Sequence, residues 1–360
     1  MTTVWRSARI LILVLIVMLL SPGMGLAQQG EGTPPAEVDW LELAMGSIAG
    51  LVLFLYGVSR LSGALKKVGS DRARDWLAKA AGHRFRGLLS GTVATIALDS
   101  SSVTIILLIT LVDAGLLSFV HAIPVILGSN IGTTISSQIF ALDIDEYAPM
   151  LMLTGFLLHT LGRSETMKTY GTIALGIGLV LFGLHTIGTA AEPLEGNQQI
   201  IDWLKNFENP LYGVLAGAAA TVAIQSSSAM MGIVITLAGE GLIGLPAGIA
   251  IMLGAEIGTC ADTLLATLGR SRSAVRAGVF HLVFNIVTVA LGALFIDQIT
   301  AFAQMWSSEV GQQIANAHVA FNVAGALLFI GFTPLAAVML CRVISDRGEG
   351  ATAPAAQVAG

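Results

Sequence analysis

A chain of 360 residues that is 54% hydrophobic and only 11% charged, with a mean hydropathy of +0.80, lacks the polar surface of a soluble domain, where about a quarter of residues are charged. The net charge of −5 offers nothing to attract nucleic acid, and two cysteines, Cys260 inside an apolar stretch and Cys341 at the end of one, argue against a disulfide framework. The composition is that of an all-α polytopic membrane protein, and the placement of Lys and Arg matters more than their sum because it orients membrane helices.

The chain opens with Arg6 and Arg9, an apolar run from Ile10 to Leu20, the breaker Ser21-Pro22-Gly23 and the small-residue ending Gly25-Leu26-Ala27. That run is short for a spanning helix and predicts a signal peptide over 1–27, followed by a polar lead-in over 28–40. A helix is expected near 41–64, then a basic connecting segment with Lys66, Lys67, Arg72, Arg74, Lys79, Arg84 and Arg86. Apolar stretches follow at 87–112, interrupted by a triple serine, and at 117–141, before an acidic turn with Asp143, Asp145 and Glu146. Helices near 147–162 and 170–190 flank Arg163 and Lys168, an acidic segment holds Glu192, Glu195, Asp202 and Glu208, and a second serine-interrupted stretch spans 212–238. Helices near 277–297 and 313–340 lead to Arg342 and Arg347 and a tail over 343–360, rich in Gly, Ala and Pro and expected to be disordered in the cytoplasm.

The sequence repeats itself. Asp99-Ser100-Ser101-Ser102 returns as Gln225-Ser226-Ser227-Ser228, and the stretch Gly128 to Thr134 returns as Gly254 to Cys260, both at an offset of 126. Between 99–134 and 225–260, 14 of 36 positions are identical. The loops equivalent under this offset carry opposite charge: the basic segment at 66–86 faces the acidic one at 192–208, and the acidic turn at 143–146 faces Arg270, Arg272 and Arg276. Since basic loops stay cytoplasmic, equivalent loops lie on opposite sides, and the repeats are predicted to be inverted. Parity then decides the serine segments. Two full crossings between the basic segment and the acidic turn would end on the wrong side, so 87–112 and, likewise, 212–238 are predicted to be re-entrant hairpins broken at the serines. The prediction is seven crossings and two hairpins: repeat 1 over 41–165, repeat 2 over 166–297, and a C-terminal transmembrane helix over 298–342. Trp40, Tyr147, Trp203, Tyr212 and Trp306 fall at the expected outer boundaries.

A helix broken at membrane depth presents backbone N–H groups on one half and carbonyls on the other, which suit an anion and a small cation. Hydroxyls serve either. Intramembrane carboxyls are costly and are functional candidates by default, which singles out Asp99, Glu256 and Asp262, each able to bind a cation or carry a proton. His281-x-x-Phe284-Asn285 recurs as His318-x-x-Phe321-Asn322, and His159 sits at the offset position of Asn285; interhelical hydrogen bonding is the plain reading of these.

The motif pair resembles the type II sodium-dependent phosphate cotransporter family, which carries Q-S-S-S in each inverted repeat followed by G-[AS]-N-I-G-T. Gln225 to Ser228 and Gly128 to Thr134 match those patterns, and the resemblance spans about 45–340. It implies a symporter importing inorganic phosphate with sodium by alternating access. Phosphate is then expected at Ser100, Ser101, Ser102, Gln225, Ser226, Ser227 and Ser228. Sodium is expected at Asp99, Asn130, Thr133, Thr134, Glu256, Thr259 and Asp262, with no cofactor besides. Two positions depart from the family: Asp99 stands where it has Gln, and Glu256 where it has Asn. These leave open another small anion or proton coupling on the same fold. From other classes, a channel could use serine hairpins as a filter, whereas an intramembrane hydrolase lacks a G-x-S-x-G elbow and a His near either triple serine, so no enzyme is expected. The expected setting is a bacterial inner membrane, with the mature N-terminus outside and the C-terminus in the cytoplasm. The expected partners are inorganic phosphate, sodium and the lipid bilayer, with a homodimer left open.

Overall fold

The computed structural model describes residues 39–78, 83–142, 144–195 and 197–345. The expected signal peptide lies outside these residues, as do nearly all of the lead-in and most of the tail. Among the described residues every regular element is helical. The helices are α1 (Trp40–Ala78), α2 (Arg84–Leu98), α3 (Ser101–Asp113), α4 (Phe119–Phe140), α5 (Ala148–Leu161), α6 (Glu165–Ala191) and α7 (Gln198–Leu204), then α8 (Pro210–Ile224), α9 (Ser227–Gly239), α10 (Leu245–Gly258), α11 (Cys260–Leu265), α12 (Arg272–Leu294), α13 (Ile296–Gln304), α14 (Val310–Ile330) and α15 (Thr333–Val343).

Among the described residues, six helical segments are long and apolar enough to cross a bilayer: α1, α4, α6, α10 with α11, α12 and α14. The seventh expected crossing, near 147–162, is α5, whose 14 residues rise only about 21 Å, against a hydrocarbon core of about 30 Å. The first helix is longer than expected. It carries Lys66, Lys67, Arg72 and Arg74 in helix rather than loop, because Ala64, Gly69, Ala73 and Leu77 keep a buried stripe at helical spacing through the charged segment. The single helix expected at 313–340 is two, since the chain turns at Gly331-Phe332 and Pro334 opens α15.

The surface is unlike a soluble protein's, and the apolar interior carries an unusual set of polar side chains. Met150, Leu153, Phe156 and Leu157 of α5 and Val283, Ile286 and Leu294 of α12 are exposed, while Ser129, Asn130, Ser137, Glu256, His281, Asn285, His318 and Asn322 are buried. Apolar side chains outside and hydrogen-bonded polar ones within are what a lipid solvent requires. The chain is a polytopic membrane protein.

Two pairs of helices pack with the same backbone contacts. A Cβ placed on Gly91 of α2 would lie 2.1 Å from the Val125 carbonyl oxygen of α4, and one on Gly128 of α4 would lie 1.8 Å from that of Leu88. The equivalents 126 residues on give 2.0 Å from Gly217 to the Ile251 oxygen and 2.1 Å from Gly254 to the Val214 oxygen. Backbones this close admit only glycine. Helices α1 and α6 meet differently. Gly50 and Gly57 abut Ile187 and Val180, while Gly176 and Gly183 abut Leu61 and Phe54. Residue numbers rise on one helix as they fall on the other, so the two run antiparallel, and each glycine contact is matched by its offset equivalent on the partner helix.

Candidate substrate and ion site

Both serine motifs sit at breaks between helices. α2 ends at Asp99 (φ 49°) and α8 at Gln225 (φ 61°), the only non-glycine residues with positive φ among the described residues. A left-handed residue with a side chain costs about 1–2 kcal/mol where glycine costs nothing, so retaining Asp and Gln here points to a use for their side chains. The next residue is extended in both cases, and its hydroxyl caps the following helix: Ser100 Oγ accepts from Val103 N at 3.3 Å and Ser226 Oγ from Ala229 N at 3.1 Å. In the first motif the halves fold back on each other, and Thr95 Oγ1 donates to Thr104 Oγ1 at 3.0 Å.

The two breaks meet. One cavity is lined by Asp99, Ser100, Ser101, Ser102, Gln225, Ser226, Ser227, Ser228 and Thr259. Ser102 Oγ and Thr259 Oγ1, 3.2 Å apart, tie the first serine motif to the junction of α10 and α11. No Lys, Arg or His side chain lines the cavity. The N-termini of α3 and α9, the positive ends of their dipoles, open onto it, their first residues Ser101 and Ser227 being on its wall. Asp99 Oδ1 accepts a short hydrogen bond from Ser136 of α4.

The other residues expected at a cation site do not line this cavity. Thr133 and Thr134 donate to the Asn130 and Ile131 carbonyls of their own helix. Asp262 is half-buried on α11, at the position equivalent to Ser136, and no hydrogen bond joins it to Gln225 among the described residues. Asn130 and Glu256 are committed elsewhere. Asn130 Nδ2 donates to Asn285 Oδ1 at 2.7 Å, while Glu256 Oε1 accepts from Asn322 Nδ2 at 2.9 Å and lies 2.8 Å from His318 Nε2.

These last contacts complete a crossed pattern. His318 Nδ1 is 2.7 Å from Ser137 Oγ, and His281 Nδ1 is 2.9 Å from Thr263 Oγ1, Ser137 and Thr263 being 126 residues apart. The α12 motif thus reaches Asn130 and Thr263, and the α14 motif reaches their equivalents Glu256 and Ser137. By their contacts the counterpart of Asn285 is Asn322, since Asn285 bonds Asn130 and Asn322 bonds Glu256, and not the His159 that the offset selects; His159 is exposed on α5, 3.0 Å from Thr172 Oγ1. Ser136 and Ser137 had no signal of their own in the sequence. The recurrence of H-x-x-F-N 37 residues apart was the visible trace of the pairing.

The Na+/Pi-cotransporter family model matches residues 53–189 and 195–339, most of the chain. The chain belongs to the Na+/Pi-cotransporter family. It is therefore a membrane transporter, not an enzyme. Among relatives in this family, the uncharacterized protein YqeW of Bacillus subtilis is 33% identical over 295 residues, covering 81% of this chain and 96% of YqeW. YjbB of Salmonella typhimurium, provisionally named as an inorganic phosphate export protein, is 23% identical over 304 residues, covering 84% of this chain. The match takes in 56% of YjbB, so the chain spans just over half of that relative's length. Human sodium-dependent phosphate transport protein 2C is 37% identical over 95 residues, 25% of this chain and 15% of that protein. No solved structure matches the chain at a significant level.

Proposed function

We propose that the chain is a secondary active transporter of inorganic phosphate coupled to sodium. The observation that carries this reading is the single cavity gathering both serine motifs, where six serine hydroxyls and two helix N-termini meet without a fixed cation. Such a wall donates to a tetrahedral oxyanion while leaving it free to depart. Phosphate is held by Ser100, Ser101, Ser102, Gln225, Ser226, Ser227 and Ser228. Sodium binds beside it on oxygens, with Thr259 as a side-chain ligand and the carbonyl ends of α2 and α8 completing the set.

Alternating access between two inverted repeats accounts for the arrangement. It is supported by the reversed loop charges, by the antiparallel crossing of α1 and α6 with each contact matched by its equivalent, and by the duplicated glycine packing of α2 on α4 and α8 on α10. The domain plan of repeats at 41–165 and 166–297, with hairpins at 87–112 and 212–238, belongs to the same proposal. So does the orientation that puts the basic end of α1 and the C-terminus in the cytoplasm of a bacterial inner membrane.

With sodium coupled, net movement follows the sodium gradient inward. The name given to YjbB favours a second reading, net export on the same fold. Proteoliposomes with sodium and pH gradients imposed separately test both. Phosphate should accumulate under an inward sodium gradient, and Ser101→Ala and Ser227→Ala should each lower uptake at least about 10-fold while the protein still inserts. Movement that ignores sodium refutes the coupling, movement only outward favours export, and no phosphate movement under any gradient refutes the substrate.

A further inference from the structure

We propose that Asp99 is a specificity-determining residue that admits a tetrahedral oxyanion carrying a proton and turns away one that carries none. The proposal rests on the reading of the serine cavity as the phosphate site and names how that site chooses among similar anions. A carboxylate on the wall of an anion site is at first sight a mistake, since like charges repel. Gln225, at the equivalent position with the same left-handed backbone, shows that the geometry accepts a neutral amide. The amide both donates and accepts, whereas an ionised carboxylate only accepts.

The hydrogen bonds around Asp99 set what it can do. Oδ1 is taken by the Ser136 hydroxyl, and Oδ2 has no hydrogen-bond partner among the described residues, although Asp99 lines the cavity. No Lys, Arg or His shares that wall to neutralise it. That open acceptor suits a proton that the ligand brings, and the sodium beside it lowers the cost of holding two anions together. Phosphate and arsenate at neutral pH still hold at least one proton on a peripheral oxygen and can donate it to Oδ2. Sulfate, of nearly the same size and shape, is fully ionised. It meets Oδ2 with an oxygen that has nothing to give, leaving two acceptors facing each other. Sites built to accept or donate one substrate hydrogen bond reject the analogue that lacks it far more strongly than pockets that sense shape alone, because the buried group is left unpaired. The serines cannot make this distinction, since a hydroxyl reorients to serve a bare or a protonated oxygen equally.

The test is competition against radiolabelled phosphate bound to the purified full chain in lipid nanodiscs with sodium present. In the wild type, arsenate should displace phosphate at concentrations at least about 100-fold below those needed of sulfate. Asp99→Asn and Asp99→Gln, the latter copying the residue of the other half, should each shrink that ratio at least about 10-fold, because the new amide donates to sulfate. Wild-type protein in which sulfate competes as well as arsenate overturns the proposal, whether or not the variants fold. Wild type that rejects sulfate together with folded variants that reject it equally also overturns it, as do variants in which only the sodium dependence moves. Wild-type protein that binds no phosphate at all refutes the underlying substrate reading, and the selector with it.

Discussion

In the first serine hairpin Asp99 ends α2, Ser136 donates to its carboxyl, and Thr95 and Thr104 bond across the fold-back. In the second, Gln225 ends α8, Asp262 stands where Ser136 would be, and Met230 takes the place of Thr104, so that Thr221 Oγ1 is buried without a hydrogen-bond partner among the described residues. The backbone path and the glycine contacts are common to both. The difference teaches that the two motifs share a backbone frame while their polar partners differ, so the first is better hydrogen-bonded at its centre than the second.

The shared frame is where substitution should cost most. Gly128→Ala and Gly254→Ala each push a methyl group to within 1.8 Å and 2.1 Å of a carbonyl oxygen, and neither backbone can retreat without separating α2 from α4 or α8 from α10. Both should cost about 3 kcal/mol or more, seen as loss of monodisperse protein from membranes. A large loss in one half with tolerance in the other would break the equivalence of the two frames.

The next largest effect separates the halves. Glu256→Ala strips buried Asn322 Nδ2 of its acceptor and buried His318 Nε2 of its hydrogen-bond partner, and should cost about 3 kcal/mol in thermal unfolding. Asn130→Ala removes only the bond to Asn285 Oδ1 and should cost about 1 kcal/mol. Glu256→Gln keeps a carbonyl oxygen for both partners and should recover most of the loss. Equal costs for the two alanine variants would mean that the carboxyl adds nothing to the amide it replaces.

Much of this was legible in the chain, for a physical reason. The doubled motifs and the reversed loop charges are local signals, and the helix breaks at Asp99 and Gln225, the helices α4, α6 and α12, and the meeting of both triple serines were anticipated from them. The basic end of α1 was read as loop because charge marks the end of a membrane span but not the end of a helix. The segment 313–340 was read as one helix because its apolar run continues across Gly331. The site residues split along a similar line. Serines that line a cavity announce themselves by clustering, whereas Glu256 and Asn130 looked like ligands and are held by α12 and α14, a contact no spacing within 99–134 or 225–260 encodes. Ser136 has no motif, and its importance lies wholly in what faces it.

A smaller effect probes the hairpin centres directly. Thr95→Val breaks the bond to Thr104, whose hydroxyl keeps only its donation to the Ser100 carbonyl, and should lower stability by about 1 kcal/mol. Thr221→Val removes a hydroxyl that has no partner and should be neutral or stabilising. Thermal unfolding of the two variants side by side gives the sign. A loss at Thr221 equal to that at Thr95 would mean that its hydroxyl bonds something in the membrane, and the picture of a looser second hairpin would fail.

The last contrast lies between two acidic positions outside the spans. Asp202 on α7 accepts from Gln198 at 2.7 Å and Lys205 at 3.1 Å, and those bonds hold its carboxyl below the usual range. Glu240, at the end of α9, is pushed the other way, first by burial and then by the charges of Glu195 and Glu192, against a weaker pull from His185. The signs follow from linkage. A depressed carboxyl lends stability that is present above its unfolded value and lost as pH falls through the folded one. A raised carboxyl holds its proton more tightly folded than unfolded, so stability declines as pH climbs from the unfolded value through the folded one. Glu240→Gln should therefore raise the unfolding temperature at pH 8 and leave it nearly unchanged at pH 4, whereas Asp202→Asn should lower it slightly at pH 8. Since Asp202 is exposed, its effect should also fade in high salt, while that of Glu240, set first by burial, should persist. A Glu240→Gln variant no more stable than the wild type at pH 8 would show that the end of α9 is already relieved of its charge by solvent, leaving no electrostatic strain at the base of the second hairpin.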